Sequence, residues 1–206
     1  MLADSRIEIK LSEVLAEKGY IRGPFGSALR RPELKDAGIP VYEQQHAIYN
    51  IRDFRFFIDE DKFKELERFQ VRTNDLIISC SGTVGRISLI RDEDPKGIIS
   101  QALLLLRPNQ NIIRSKYLYY YLTSKTGFNQ ITQASHGSVQ VNIASRNVVE
   151  AIKLNVPAVQ EQDKIVNMLA SIDGKIELNL EMNKTLEEMA MAIYKEWFVD
   201  FGPFKD

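Results

Sequence analysis

Residues 157–198 have the sequence PAVQEQDKIVNMLASIDGKIELNLEMNKTLEEMAMAIYKEWF, in which apolar side chains recur in alternating steps of four and three residues. The mean period of about 3.5 residues is typical of a coiled coil rather than of a single surface helix. The residues on this face, here named the seam, are Ile165, Leu169, Ile172, Ile176, Asn179, Asn183, Leu186, Ala190, Ile193 and Trp197. A helix cannot bury such a face by itself, so the pattern predicts an interface with a second helix, from this chain or another.

Two asparagines interrupt the seam, and they lie symmetrically about Glu181. In an antiparallel pair of identical helices centred there, Asn179 of one chain would face Asn183 of the other. Buried asparagine lowers stability but selects register and oligomeric state. The pattern therefore favours an antiparallel homodimer. The alternative is that both asparagines face solvent where the seam lapses.

The composition is that of a globular domain with an appendage. The chain has 206 residues, of which 44% are hydrophobic, and no stretch approaches the length of a membrane span. The first residues lack the apolar segment of a signal peptide, and Cys80 is the only cysteine, in an apolar run that predicts a buried thiol. These features predict a cytoplasmic protein without a membrane segment or a cysteine-based metal site.

Charge is distributed unevenly along the chain. Residues 1–157 carry 22 Lys and Arg against 18 Asp and Glu, a net charge of +4. Residues 158–206 carry 5 against 10, a net charge of −5. A mildly basic first part is compatible with nucleic-acid binding, although many unrelated enzymes share it.

The order of apolar runs predicts an α+β fold, in which a mixed α/β globular domain over residues 1–156 precedes a long C-terminal coiled-coil helix within residues 157–206. Short apolar runs between turn residues predict strands at 39–42, 55–58, 75–79, 86–90 and 102–106. Helices are expected after Ser12 as N-cap, over 61–69 and over 115–124. Only Gly174 interrupts the helix that is expected from Pro157 to Phe198.

No motif for catalysis or for a cofactor is complete. There is no Walker loop, no HExxH and no methyltransferase motif, and neither His46 nor His136 has a second ligand at metal spacing. Glu60-Asp61-Lys62 has the spacing of a nuclease triplet that binds Mg²⁺, but such triplets arise by chance in a chain with 27% charged residues. We therefore predict no catalytic residue, no metal and no cofactor.

Polar loops on the globular domain are candidates for DNA binding, because Arg, Asn, Gln, Ser, Thr and His supply the donors and acceptors that contact bases and phosphates. Three segments, 43–46, 79–86 and 135–142, have this composition and are expected to be loops, and GPFGS at 23–27 is a fourth loop, in which glycine permits positive φ. The candidates are Ser27, Gln44, Gln45, His46, Ser81, Thr83, Arg86, Ser135, His136, Ser138, Gln140 and Asn142. The alternative is that these side chains bond only to their own backbone.

The order of segments resembles the specificity (S) subunit of type I restriction–modification systems. The matching segments are GPFGS at 23–27, IPVYEQQ at 39–45, DLIISCSGTVGRISLI at 75–90, QALLLLRP at 101–108, GSVQVNIA at 137–144, VPAVQEQDKIVNMLASIDGKIE at 156–177 and LEEMAMAIYKEWFVDFGPF at 186–204. The resemblance covers nearly the whole chain.

The resemblance implies a target recognition domain in residues 1–156 and a conserved helix in residues 157–206 that dimerises and docks methyltransferase (M) subunits. Such subunits are non-catalytic and usually contain both parts twice, with two antiparallel helices between two domains that each recognise half of a split DNA target. The assembly then recruits the restriction and translocase (R) subunit.

This chain has each part once, so two copies would restore the usual arrangement. Identical halves would bind an inverted repeat in double-stranded DNA. The helix length corresponds to roughly 12–18 base pairs between the two domains. Two alternatives remain: a stand-alone Mg²⁺-dependent nuclease that uses Glu60 and Lys62, or a coiled-coil adaptor that binds no DNA.

Overall fold

The computed structural model describes residues 6–25, 28–133 and 142–204. The chain divides into two compact units, residues 1–163 and 164–206, which are described separately. The division falls within the long helix, whereas the sequence places the domain boundary at 156/157. That boundary remains a prediction.

A four-stranded antiparallel sheet forms the centre of the first unit. Its strands, in spatial order, are β2 (Leu15–Arg22), β8 (Leu103–Pro108), β5 (Leu76–Ser79) and β6 (Ile87–Leu89). Because β2 and β5 each pair antiparallel with β8, both end at the edge of the sheet where β8 begins. The loops that follow β2 and β5 therefore leave the sheet at the same edge.

Two smaller sheets complete the strands. One has the order β4 (Phe57–Ile58), β3 (Ile39–Tyr42) and β7 (Ile98–Ile99), with β3 antiparallel to β4 and parallel to β7. The other pairs β1 (Ile7–Lys10) antiparallel with β9 (Lys153–Val156). The strand predicted at 39–42 is confirmed with the same ends, and those predicted at 55–58, 75–79, 86–90 and 102–106 are confirmed with shifted ends.

Seven α-helices are described: α1 (Leu11–Val14), α2 (Gln44–Tyr49), α3 (Glu60–Glu65), α4 (Ser115–Thr123), α5 (Lys125–Gln133), α6 (Arg146–Glu150) and α7 (Val159–Tyr194). The predicted loop over 43–46 is wrong, since three of its four residues begin α2. Ser12 is not an N-cap, because α1 already begins at Leu11. The helix expected over 61–69 is α3 followed by a 3₁₀ turn at Glu67–Phe69.

Apolar side chains from the sheets form the core of the first unit. Tyr42, Ile58, Ile77, Ile98 and Leu105 are among the fully buried members. The mixed α/β domain followed by a long C-terminal helix confirms the predicted fold class.

A bidentate ion pair joins β8 to the residue that precedes β5. Arg107 donates from Nε and Nη2 to the two carboxylate oxygens of Asp75 at 2.8 and 2.7 Å, and also to the Gln70 carbonyl at 3.0 Å. Asp75 accepts a further bond from the Arg72 N–H at 2.8 Å. Each carboxylate oxygen therefore has a donor, as a carboxylate that is only 1% exposed requires.

Gly23 was expected to supply a positive φ in the GPFGS loop, but the structure requires glycine there for a different reason. A Cβ added there would lie 1.9 Å from the Ser100 carbonyl oxygen, so the position excludes any side chain. Gly23 is not among the residues with positive φ, whereas Gly82 and Gly85 are, with φ of 64° and 81°. Close approach of two backbones, rather than turn conformation, explains this glycine.

The first turn of α7 is fastened to the first unit by Gln162, which is fully buried. Its Oε1 accepts from the Arg114 N–H at 2.8 Å, and its Nε2 donates to the carbonyls of Ile112 at 3.0 Å and Pro157 at 2.9 Å. Next to it, Arg114 donates to both carboxylate oxygens of Asp163 at 2.7 and 3.1 Å. The start of the helix is thus set by five hydrogen bonds from two adjacent side chains and their partners.

The second unit is helical over most of its length. The α-helix α7 has 36 residues and spans about 54 Å. It continues as a π-helical turn at Lys195–Val199, in which the Asp200 N–H donates to the Lys195 carbonyl, and a 3₁₀ turn follows at Gly202–Phe204. Nothing lies within 4 Å of a Cβ added at Gly174, so this glycine has no packing role in the single chain.

Candidate nucleic-acid interface

The loop between β5 and β6, residues 80–86, is braced from inside by Ser79. The Ser79 hydroxyl donates to the Thr83 carbonyl at 2.5 Å and accepts from the Arg86 N–H at 2.9 Å. The main chain of Ser79 bonds to Arg86 and Gly85 at 2.9 and 3.0 Å. These bonds go to backbone atoms, which leaves the side chains of Thr83 and Arg86 exposed.

Gln44 holds the same loop from outside. Its Nε2 donates to the Ser81 carbonyl at 2.6 Å, and its Oε1 accepts from the Ser81 N–H at 3.1 Å. The Ser81 hydroxyl in turn donates to Oδ1 of Asn142 at 2.8 Å, and the Ile143 N–H donates to the Cys80 carbonyl at 2.9 Å. The structure therefore brings three of the predicted residues, Gln44, Ser81 and Asn142, into one hydrogen-bonded cluster.

His46 is buried and serves the structure of α2 rather than its surface. Its Nδ1 accepts from the Glu43 N–H at 2.7 Å, so Nε2 carries the proton and donates to the Asp53 carbonyl at 3.0 Å. The ring stacks on Phe54 at 4.6 Å, and burial lowers the pKa of the imidazole. With both nitrogens engaged, His46 cannot contact a base unless these bonds break, which corrects its selection as a contact residue.

Gln45, which lies between Gln44 and His46, also bonds within the protein. The Gln45 Nε2 donates to the Asp53 carbonyl at 3.3 Å, and the side chain stays half-buried.

Cys80 is fully buried, as expected, and burial raises the pKa of its thiol to about 12. A thiol with that pKa is neutral and unreactive at physiological pH.

An aromatic surface that no sequence pattern predicts adjoins the loop. The Arg86 guanidinium lies 5.5 Å from the centre of the Phe128 ring, and Tyr49 is 70% exposed at the end of α2. Both aromatics line a pocket of about 230 Å³, together with Ala47, Ile48, Asn50, Gly85, Arg86, Ile87, Tyr119 and Thr123. These residues come from α2, the loop 80–86, β6, α4 and α5, whose meeting no local pattern encodes.

A second exposed aromatic lies at the end of β2. Phe25 is 65% exposed, and the Arg22 guanidinium lies 5.7 Å from the centre of its ring. Since β2 and β5 end at the same sheet edge, the GPFGS loop and the loop 80–86 both start there. The predicted Ser27, Ser135, His136, Ser138 and Gln140 lie outside the described residues.

The nuclease triplet has an ordinary surface environment. Lys62 donates to Glu65 at 3.0 Å and forms an ion pair with Glu33 at 2.8 Å, in a helix capped by Asp59. Among the residues that the structure describes, no group of three or more His, Cys, Asp or Glu side chains could hold a metal ion. Across the same residues, no helix is both long and apolar enough to cross a membrane.

The seam of α7 is exposed along most of its length in the single chain. The exposed fraction is 50% at Ile172, 57% at Leu186 and 48% at Trp197, and both Asn179 and Asn183 are exposed. Ile165 and Leu169 are half-buried. Leu180 and Met182 are also exposed and flank the centre of the seam. Other exposed large apolar residues of this segment are Met168, Leu178, Met189, Met191, Tyr194, Phe198, Val199 and Phe201. Such an apolar surface exceeds what an isolated helix normally leaves in water.

Residues 25–188 match the family model described as type I restriction modification DNA specificity domain. The chain is 33% identical over 125 residues to the type I restriction enzyme HindI specificity subunit of Haemophilus influenzae. The aligned region covers 59% of this chain and 27% of that protein. It is also 33% identical over 144 residues to the MjaIX specificity subunit of Methanocaldococcus jannaschii, covering 66% of this chain and 32% of the relative.

Solved structures show the same fold. The S subunit of a type I restriction–modification system from M. genitalium superimposes with a TM-score of 0.67 at 13% identity, over 97% of this chain and 47% of that one. The HsdS subunit from Thermoanaerobacter tengcongensis gives a TM-score of 0.62 at 17% identity, over 96% of this chain and 46% of that one. The chain thus spans about half the length of these structures and about a third of the curated relatives.

Proposed function

Because the chain belongs to the type I restriction modification DNA specificity domain family, we propose that it is the DNA sequence-specificity subunit of a type I restriction–modification complex. The observation that carries the proposal is the match over residues 25–188, since it includes both the loop 80–86 and most of α7. The chain would act in the cytoplasm as a non-catalytic subunit. It would place methyltransferase subunits and the restriction and translocase subunit on DNA.

In this proposal the loop 80–86 and the GPFGS loop face duplex DNA. Thr83 and Arg86 are exposed there, and their hydroxyl and guanidinium groups suit base edges and phosphates. Gln45, Ser81 and Asn142 remain candidates for contact, as do Ser27, Ser135, His136, Ser138 and Gln140. The cluster of Gln44, Ser81 and Asn142 supports one continuous surface rather than separate loops.

Two copies would associate antiparallel through the seam. About a centre at Glu181, each seam residue faces another seam residue, so that Ile165 meets Trp197 and Asn179 meets Asn183. The exposed Leu180 and Met182 flank the asparagines and would shield their amides from water. Such a two-fold dimer would bind an inverted repeat, and a helix of about 54 Å spans about 16 base pairs.

Charge gives the dimer a salt dependence opposite to that of DNA binding. Residues 158–206 carry 10 acidic against 5 basic side chains, so two copies repel each other and salt should tighten their association. DNA binding should weaken with salt, because phosphate contacts release counterions. Light scattering over a salt series would measure the first effect, and fluorescence anisotropy with labelled duplex would measure the second.

The decisive experiment selects from randomised duplexes with the purified chain, alone and together with its methyltransferase subunit. We expect enrichment of a two-part inverted-repeat sequence. A complex that binds all duplexes equally would refute the specificity role, and absence of binding at any salt concentration would favour an adaptor. Cleavage of duplex by the chain with Mg²⁺ alone would refute the non-catalytic assignment.

A further inference from the structure

Gln44 makes both of its described hydrogen bonds to the main chain of a single residue, Ser81, on a neighbouring loop. We propose that Gln44 is a positioning residue for sequence recognition, which holds the loop 80–86 in the conformation that DNA requires. The proposal rests on the proposed function, because the loop must contact DNA for its conformation to affect recognition.

The geometry suits an amide and no other common side chain. Ser81 presents an N–H and a C=O, and the Gln44 amide supplies one acceptor at 3.1 Å and one donor at 2.6 Å. The pair imitates one rung of a β-ladder. A glutamate at 44 would set a carboxylate oxygen against the Ser81 carbonyl, and an asparagine is one methylene shorter. This pair of hydrogen bonds between the Gln44 amide and the Ser81 main chain, here named the clamp, therefore depends on the chemistry and the length of glutamine.

The base of the clamp is itself fixed. Gln44 is the first residue of α2, and the preceding turn is closed by the bond from the Glu43 N–H to the buried ring of His46. His46 is tied to the Asp53 carbonyl and stacked on Phe54. Movement of Gln44 would disturb these buried contacts, so the amide is held where Ser81 meets it.

The clamp also reaches a second segment of the surface. The Ser81 hydroxyl donates to Asn142, and the next residue along, Ile143, donates to the Cys80 carbonyl. Fixing Ser81 therefore also fixes the positions of Asn142 and Ile143. A surface ordered before binding does not pay the conformational entropy of ordering when DNA arrives, which favours the duplex that fits.

Binding measurements on Gln44→Glu and Gln44→Met test the proposal, with Gln160→Met as the matched control, since Gln160 is an exposed glutamine outside the candidate DNA surface and the seam. The probes are a duplex obtained by selection on the wild-type chain and a scrambled duplex of the same composition. For both Gln44 variants we expect affinity for the selected duplex to fall about tenfold, from loss of two hydrogen bonds that order the loop. Affinity for the scrambled duplex should stay within about twofold, because it depends on phosphate contacts.

Hydrogen exchange at the Ser81 amide gives a readout that needs no DNA. In the free wild-type chain this amide should be protected, and in Gln44→Met its exchange should accelerate while amides of the core strand β5 keep their rates. Faster exchange throughout β5 would show general destabilisation and would overturn the positioning role. So would an unprotected Ser81 amide in the wild type.

The two proposals fail in different ways. If the wild-type chain selects no sequence, the proposed function fails, and the exchange data still decide whether the clamp exists. If the wild type selects a sequence and both Gln44 variants keep the same ratio of selected to scrambled affinity, the positioning role is refuted while the function stands. A ratio of selected to scrambled affinity lost equally in Gln160→Met would also refute it.

Discussion

Replacing Gln162 by methionine should destabilise the first unit at the point where the long helix begins. The side chain is fully buried and takes part in three hydrogen bonds, with the Arg114 N–H and with the carbonyls of Ile112 and Pro157. Methionine has a similar length but leaves all three groups without their partner. A buried unpaired group costs about 1–3 kcal/mol, and two of the three groups are partly accessible to water, so we expect a total loss of about 2–4 kcal/mol.

The measurement is urea unfolding followed by far-ultraviolet circular dichroism, at one protein concentration because association shifts apparent stability. Gln160→Met is the matched control, since Gln160 lies in the same first turn and is exposed. That variant should stay within about 0.5 kcal/mol of the wild type. If the two variants lost the same free energy of unfolding, the assigned role of the buried amide would be wrong.

Three further predictions concern other positions. Gly174→Ala should raise the free energy of unfolding of the helix by about 1 kcal/mol, because no atom meets the added methyl group; an unchanged melting curve would contradict this. Asn179→Ile together with Asn183→Ile should raise the melting temperature but broaden the distribution of oligomers in analytical ultracentrifugation. A double variant that is less stable and still forms a uniform dimer would place the asparagines outside the seam. Burial lowers the pKa of His46 from 6.5, so the unfolded state binds a proton more readily than the folded state. The free energy of unfolding should therefore be highest above pH 6.5 and fall as the pH drops from there toward the folded-state pKa. In His46→Phe this part of the curve of stability against pH should be flatter.

The strands of the main sheet could be predicted from sequence because they are buried on both faces. Leu76–Ser79 begins with three apolar residues and Leu103–Pro108 with four leucines, and such short apolar runs between turn residues are sufficient to identify a central strand. Leu15–Arg22 was missed, since Glu17, Lys18 and Gly19 interrupt its apolar pattern at the point where its register with β8 shifts. An irregular strand gives no period for a sequence argument to detect.

The candidate site was predicted in part, for a similar reason. Side-chain type selected Gln44, Ser81 and Asn142, which the structure joins in one hydrogen-bonded cluster, while their contact with DNA stays a prediction. It could not separate His46 from them, because a polar residue that bonds within the protein has the same letter as one that contacts a ligand. Gln162 was missed for the converse reason: in the first turn of a helix, a glutamine is normally exposed. Phe128 joins the surface only through tertiary packing.

The internal support of the loop 80–86 has a consequence for how new specificities could arise. The bonds from Ser79 and Gln44 that hold it end on main-chain atoms, which every amino acid except proline supplies in full. Side chains at 83 and 86 can therefore be exchanged without dismantling the scaffold beneath them. In the proposed function, point substitutions at these two positions would change which DNA sequence is bound while the fold stays intact.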